Sequence, residues 1–240
     1  MTPLNNHELL QLWERGSPLH PLDRGLLALG AVMPEVSLDT LADWPLGRRN
    51  AALIELRCAC FGRALRAWTA CPRCAEKLEF ELDGDVLLDR APQAMSSDNV
   101  EVGGQLFRLP TTRDVASVLR GAADLDRAAR RLAQICRIPT SDSSSPAQPI
   151  EDLALEDIEE GMALADPMAE LLIELPCPAC GGHQESLLDI VSFFWSEVEA
   201  RAKRLLREVH DLATAYGWTE SVVLSLSDHR RTVYLDLVRA

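Results

Sequence analysis

Two short motifs in this chain could do chemistry: Cys71-Pro72-Arg73-Cys74, and Cys177-Pro178-Ala179-Cys180 followed by Gly181-Gly182. A two-residue gap lets both thiolates of a pair converge on one ion while the amides of the tight turn point at the sulfurs. Two such pairs supply four thiolates, Cys71, Cys74, Cys177 and Cys180, which is a tetrahedral shell for one structural zinc per chain. That shell leaves no position open for water or substrate, so the expected chemistry is binding without turnover. His183 lies just past Cys180 and could replace a ligand, though a surface histidine is the simpler reading. Free thiols in ordinary turns, or a redox Cys-x-x-Cys, are the competing readings. The redox one expects a thioredoxin-like strand-then-helix setting, whereas the residues after Cys74 alternate as a strand. Cys58, Cys60 and Cys136 read as small core residues.

No catalytic constellation emerges, so the catalytic set is none and the chain reads as no enzyme. There is no Gly-x-Ser-x-Gly, no phosphate loop ending in Gly-Lys-Ser/Thr and no His-Glu-x-x-His. His7, His20, His183, His210 and His229 are scattered along the chain, and the acidic run Glu156, Asp157, Glu159 and Glu160 reads as a solvated helix face.

The elements that must position the cysteines are mostly helical. Pro21 to Val32 has apolar residues at helical spacing, and Leu38 to Trp44 can be capped by Ser37 or Asp39. Gly47 to Trp68 reads as one amphipathic helix, with Arg48, Arg49, Arg57, Arg63 and Arg66 on its solvated side. After the first knuckle, Leu78, Phe80 and Leu82 alternate with Lys77, Glu79 and Glu81, which is strand spacing. Val100 to Leu109 forms a second strand region with a turn at Gly103-Gly104. Helices are expected over Asp114 to Leu119, Asp124 to Cys136 and Leu153 to Ala165, with a mobile Ser-rich loop near residues 140–149. Strands Leu171 to Leu175 and Gln184 to Ile190 flank the second knuckle. A long helix from Ser192 to Tyr216, stopped by Gly217, and two short helices close the chain.

The expected fold class is therefore α+β and α-rich, with a small antiparallel zinc-ribbon-like β element. The expected organisation is a helical region 1–70, a β/zinc-ribbon region with a helical insertion over 71–190, and a helical region 191–240, integrated as one domain. The formal net charge is −13. A protein that grips a phosphate backbone usually carries the opposite balance, so no nucleic acid is expected as partner. Met1 to Leu10 lacks a signal-peptide pattern and no apolar run suits a membrane span, so no membrane is expected and the location reads as cytoplasmic. Seven cysteines in such a chain point to metal rather than disulfides.

Several blocks, taken in order, carry a resemblance. They are Leu12-Trp13-Glu14-Arg15-Gly16 with His20-Pro21-Leu22-Asp23-Arg24, and Leu46-Gly47-Arg48-Arg49-Asn50. Next come the first knuckle with Leu78 to Leu82, and Arg108-Leu109-Pro110-Thr111-Thr112-Arg113-Asp114. The second knuckle follows, then Asp189-Ile190 to Phe194-Trp195 and Leu205 to His210. Ala215-Tyr216-Gly217-Trp218-Thr219-Glu220 and Arg230-Arg231-Thr232-Val233-Tyr234-Leu235 complete the set. From about Leu9 to Val238 this order resembles the T-even-type phage baseplate proteins described as baseplate hub assembly chaperones, above all those found with phage-tail-like contractile injection systems.

The resemblance implies an assembly factor or minor structural component that contacts hub, spike or other baseplate proteins. It implies no small-molecule substrate, and incorporation into the particle is open. Trp218 and the basic strip Arg201, Lys203, Arg204 and Arg207 are the candidate partner-binding residues. The alternative is a zinc-ribbon nucleic-acid-binding regulator, in which Thr219 to Leu226 and Asp228 to Val238 mimic a helix-turn-helix.

Overall fold

Helix α1 (Asn6–Gly16) begins at Asn5, whose side chain accepts from the N–H groups of His7 and Glu8 while Glu8 reaches back to the Asn5 N–H. This reciprocal capping box fixes the start of the chain's first packed element. The computed structural model describes residues 1–89, 91, 99–119, 124–139 and 154–239. Helices α2 (Pro21–Val32), α3 (Leu38–Ala42) and α4 (Leu46–Phe61) follow α1. Near the far end of the chain lies α9 (Ile190–Tyr216), capped by Asp189 and stopped at Gly217, whose φ of +66° suits glycine. Helix α9 packs against α1, α2 and α4. Leu29, Leu53, Ile54, Val198 and Leu205 are wholly buried between them. The α-rich α+β class stands, with the largest core at the join of the two chain ends.

The helix expected over Gly47 to Trp68 is shorter than its pattern suggested. It stops at Phe61, and Gly62 leaves helical geometry with φ +89°. Residues Ala64–Ala70 are then strand β1, antiparallel to β2 (Lys77–Asp83), with Leu65 opposite Leu82 and Trp68 opposite Glu79. Arg49 and Arg57 also depart from the expected solvated face, for both are buried. Arg57 makes a bidentate pair with Glu197 of α9 and donates to the Gly62 carbonyl. A charge inside the body persists only with such partners, and these tie α4 to α9.

After β2 comes the short helix α5 (Gly84–Leu88), then a three-stranded sheet of β3 (Asn99–Val102), β4 (Gln105–Arg108) and β5 (Arg137–Ile138). Helices α6 (Thr112–Leu119) and α7 (Leu125–Cys136) lie between β4 and β5, and α8 (Leu155–Ala165) follows. Phe107, Ala133 and Ile158 form this insertion's own small core. The Ser-rich stretch near residues 140–149, expected to be a mobile loop, lies outside the described residues. Strands β6 (Leu172–Pro176) and β7 (His183–Leu187) pair antiparallel and lead into α9. Helices α10 (Glu220–Ser225) and α11 (Asp228–Arg239) fold back on α9. Among the described residues, no helix is long and apolar enough to cross a membrane.

Both ends of the insertion are fastened to the start of α4. Pro45 offers that helix no side-chain cap, and distant residues supply its bonds instead. The Leu46 N–H donates to the Pro110 carbonyl, and the Gly47 N–H donates to Asp166 Oδ2 at 2.8 Å. Arg49 donates to Thr112 Oγ1, and the Asn50 amide donates to the carbonyls of Met168 and Ala169. Asp166 thus acts as a cap borrowed from far along the chain, and a Cβ at position 47 would overlap its carboxylate. Burial pushes the Asp166 carboxyl above its ordinary range, although the Gly47, Met168 and Ala169 N–H groups pull the other way. Burial likewise lowers Arg49 to about 10, opposed by the charges of Asp189 and Asp166. This knot fixes where the chain re-emerges, a few residues before β6 and the second pair of cysteines.

Candidate metal centre

The two knuckles are the same loop built twice. In the first, the Cys71 N–H donates to the Glu76 carbonyl at 2.8 Å and the Ala75 N–H donates back to the Cys71 carbonyl. In the second, Cys177 N–H meets the Gly182 carbonyl at 2.8 Å and Gly181 N–H meets the Cys177 carbonyl. Each loop joins the strands of an antiparallel hairpin, β1–β2 and β6–β7. The residue after the second cysteine is left-handed in both, Gly181 at φ +66° and Ala75 at φ +59°. Glycine takes that conformation at little cost, whereas an L-residue gives up roughly 1–2 kcal/mol. Replacing Ala75 by Gly is therefore expected to raise stability by about 1 kcal/mol in a denaturant melt. A destabilised Ala75→Gly protein would contradict this account of the loop.

The loops face each other. The sulfurs of Cys71, Cys74, Cys177 and Cys180 all lie within 4.8 Å of one another. Across the hairpins, Cys71 Sγ is 3.7 Å from Cys180 Sγ and Cys74 Sγ is 3.6 Å from Cys177 Sγ. A tetrahedron of thiolates about 2.3 Å from a central ion has edges of about 3.8 Å. The donor set therefore fits a four-thiolate metal site in number, chemistry and size. The Arg73 N–H, with that of Cys74, holds the Cys71 thiol down at about 7. At Cys74 the Glu76 N–H works in the same direction, but burial and the hydrogen bonds to the neighbouring thiols push it up to about 12. Backbone amides and crowding among the sulfurs thus act on the two thiols of the first knuckle in opposite directions.

Among the described residues, a small apolar cluster joins the hairpins at this end. Leu78 and Leu175 are buried beside Cys71 and Cys177, with Phe80 and Ile173 at the margin. The Arg73 side chain lies over Gly182, where a Cβ would meet its guanidinium at 2.8 Å. Glu174 stands directly opposite Glu185 in the second hairpin, an unfavourable cross-strand pair. His183 is exposed and opposite Pro176, and the group of four sulfurs closes without it.

The candidate partner-binding residues differ in exposure and in their partners. Arg201 is nearly covered, donating to Asn6 Oδ1 at 3.1 Å and to Asp228 at 2.7 Å. Arg204 is exposed and 3.8 Å from Glu208, and exposed Arg207 donates to the Lys203 carbonyl. Trp218 is half-buried, stacked on Tyr216 with ring centroids 4.8 Å apart and edge-on to Tyr234. Periodicity had placed these arginines on a helix face but had no means of seeing that Arg201 points into the seam with α1. What sequence reading missed was the knot at the start of α4. Some of its members stand in the blocks Leu46 to Asn50 and Arg108 to Asp114, but Asp166, Met168 and Ala169 stand in neither. No protein-family profile, no curated protein and no solved structure matches this chain.

Proposed function

We propose that this chain is a non-enzymatic assembly factor or minor structural component of the baseplate hub of a contractile phage tail or phage-tail-like injection system, built around one structural zinc. The closed donor set carries the non-enzymatic part. Four cysteines complete the coordination shell, so no position is left for a substrate or an activated water. Zinc, when bound, supplies only a fixed cross-link between the hairpins. The ordered blocks from Leu12 to Leu235 support the baseplate role. A nucleic-acid regulator fares worse on one specific point. In the would-be recognition helix α11, Arg231 is buried against Glu208 and Asp228, and Arg230 lies over the Tyr234 ring.

Affinity capture of the tagged full chain, from cells making such a particle, tests the assembly role. Hub, spike or other baseplate proteins are expected in the eluate or in the purified particle. Absence of the chain from both, with no baseplate protein captured, would sink the assembly reading. Elemental analysis decides the metal separately. About one zinc per chain is expected, whereas iron with visible thiolate absorption would keep the site and change the ion.

A further inference from the structure

The insertion carries two neighbouring helix faces of opposite charge. Helices α7 and α8 lie on the same side of the three-stranded sheet, where Ala133 and Ile158 meet Phe107. Val100 pairs opposite Phe107 and shares that side, and Gly161 lets α8 settle onto Val100 and Val102. With Ala133, Cys136 and Ile158 turned inward, the outward side of α7 presents Arg127, Arg130 and Arg131, all exposed. The outward side of α8 presents Glu156, Glu159 and Glu160, also exposed. Leu125 at the start of α7 and Leu164 near the end of α8 are 81% and 77% exposed.

These charges are unused among the described residues. Among the described residues, none of the three arginines and none of the three glutamates makes an ion pair, although the two helices touch. Several arginines elsewhere find carboxylates, as Arg57, Arg66, Arg108, Arg113 and Arg231 do. A positive stripe beside a negative one is self-complementary. A two-fold axis running between the two helices lays each stripe on its opposite. We propose that this two-helix face pairs with the same face of a second copy of the chain, α7 of each on α8 of the other.

A second copy is the occupant the charges favour, because the complement of each stripe is carried by this chain itself. The net charge of −13 repels two copies at long range. Beyond roughly 8 Å at physiological ionic strength that repulsion is screened, so the local stripes decide. Opposed stripes make the salt dependence diagnostic. A dimer held by them weakens as salt rises, whereas copies held by apolar contact against net repulsion associate better.

Sedimentation of the full chain at low and high salt tests this. The expected result is a reversible dimer whose dissociation constant rises about tenfold or more between low and high salt. The triple variant Arg127→Glu, Arg130→Glu, Arg131→Glu should be monomeric, as should Glu156→Lys, Glu159→Lys, Glu160→Lys. Mixed one to one, the two should dimerise, since one face is then wholly acidic and the other wholly basic. If a triple variant melts early, Arg130→Glu mixed with Glu160→Lys serves as the same cross-test. A wild-type chain that stays monomeric to about 1 mM, a dimer indifferent to both reversals, or a mixture that stays monomeric would each overturn the proposal. Capture of an acidic partner by the α7 arginines without self-association would overturn it as well.

Discussion

Treatment with a strong chelator, or the single change Cys177→Ser, is expected to lower the melting temperature by about 10–20 °C. Two-stranded hairpins are marginal in water on their own. Among the described residues, the core the two share holds Leu78 and Leu175 beside the buried cysteines, with Phe80 and Ile173 at its margin, and one hairpin sets Glu174 against Glu185. Four-thiolate zinc can contribute an apparent ~10–16 kcal/mol where nothing else is folded. Part of the site is already ordered by the loop hydrogen bonds, so a loss of about 5 kcal/mol is the reasonable scale. At about 2–4 °C per kcal/mol for a chain of this size, that gives the stated range. The helical body has its own core around Leu53, Val198 and Leu205. Far-ultraviolet dichroism should therefore fall only modestly below the melt, while amide exchange accelerates in β1, β2, β6 and β7. A protein purified without metal, melting unchanged after chelation, would remove the site from the account.

The second large effect is at Arg231. Replacing it with Met is expected to cost about 3–5 kcal/mol, the range for breaking a buried ion pair from one side. Its side chain is 2% exposed and donates to Glu208 Oε2 at 2.5 Å, Asp228 Oδ1 at 2.6 Å and the Leu226 carbonyl at 3.0 Å. Without it, Glu208 is left in a mostly covered position, and of the polar ties between α11 and α9 the Arg201–Asp228 pair remains. Leu212, Val223 and Leu235, which form the core of that corner, would be exposed by a detachment. The double variant Arg231→Met, Glu208→Gln should recover part of the loss, because the stranded charge is gone. Equal stability of the wild-type and Arg231→Met proteins in denaturant would show that the tie is not structural.

What was legible in the sequence was what is local in the chain. Each cysteine pair declares itself within four residues, and Asp124 and Gly217 sit where helix boundaries require them. Asp189, expected in a strand running to Ile190, instead caps α9 after a strand that ends at Leu187. The overlong helix from Gly47 failed for a local reason too. Leu65 and Trp68 continue a helical spacing, yet in strand β1 they fall on opposite faces, Leu65 buried and Trp68 exposed, and the break comes from the backbone at Gly62. The buried arginines failed for another reason. Arg48, Arg49 and Arg57 look alike along the chain, yet Arg48 lies over the Trp44 ring while Arg49 and Arg57 turn inward. Their partners, Thr112 and Glu197, are far away in sequence, and no short-range pattern encodes that choice. The Asp166 cap is the extreme case, a helix start completed by a residue 119 positions on.

The pairing of Cys74 with Cys177, 103 positions later, also sets a timetable. A ribosome adding about 5–20 residues per second delivers the second pair of cysteines some 5–20 s after the first. During that interval Cys71 and Cys74 form half a site, able to meet stray metal ions, oxidants or the cysteines of another nascent chain. The set of four is complete only when the insertion and the second knuckle have been made. The four-thiolate site is therefore completed late, shortly before α9 is made and the first and last parts of the chain can share the larger core.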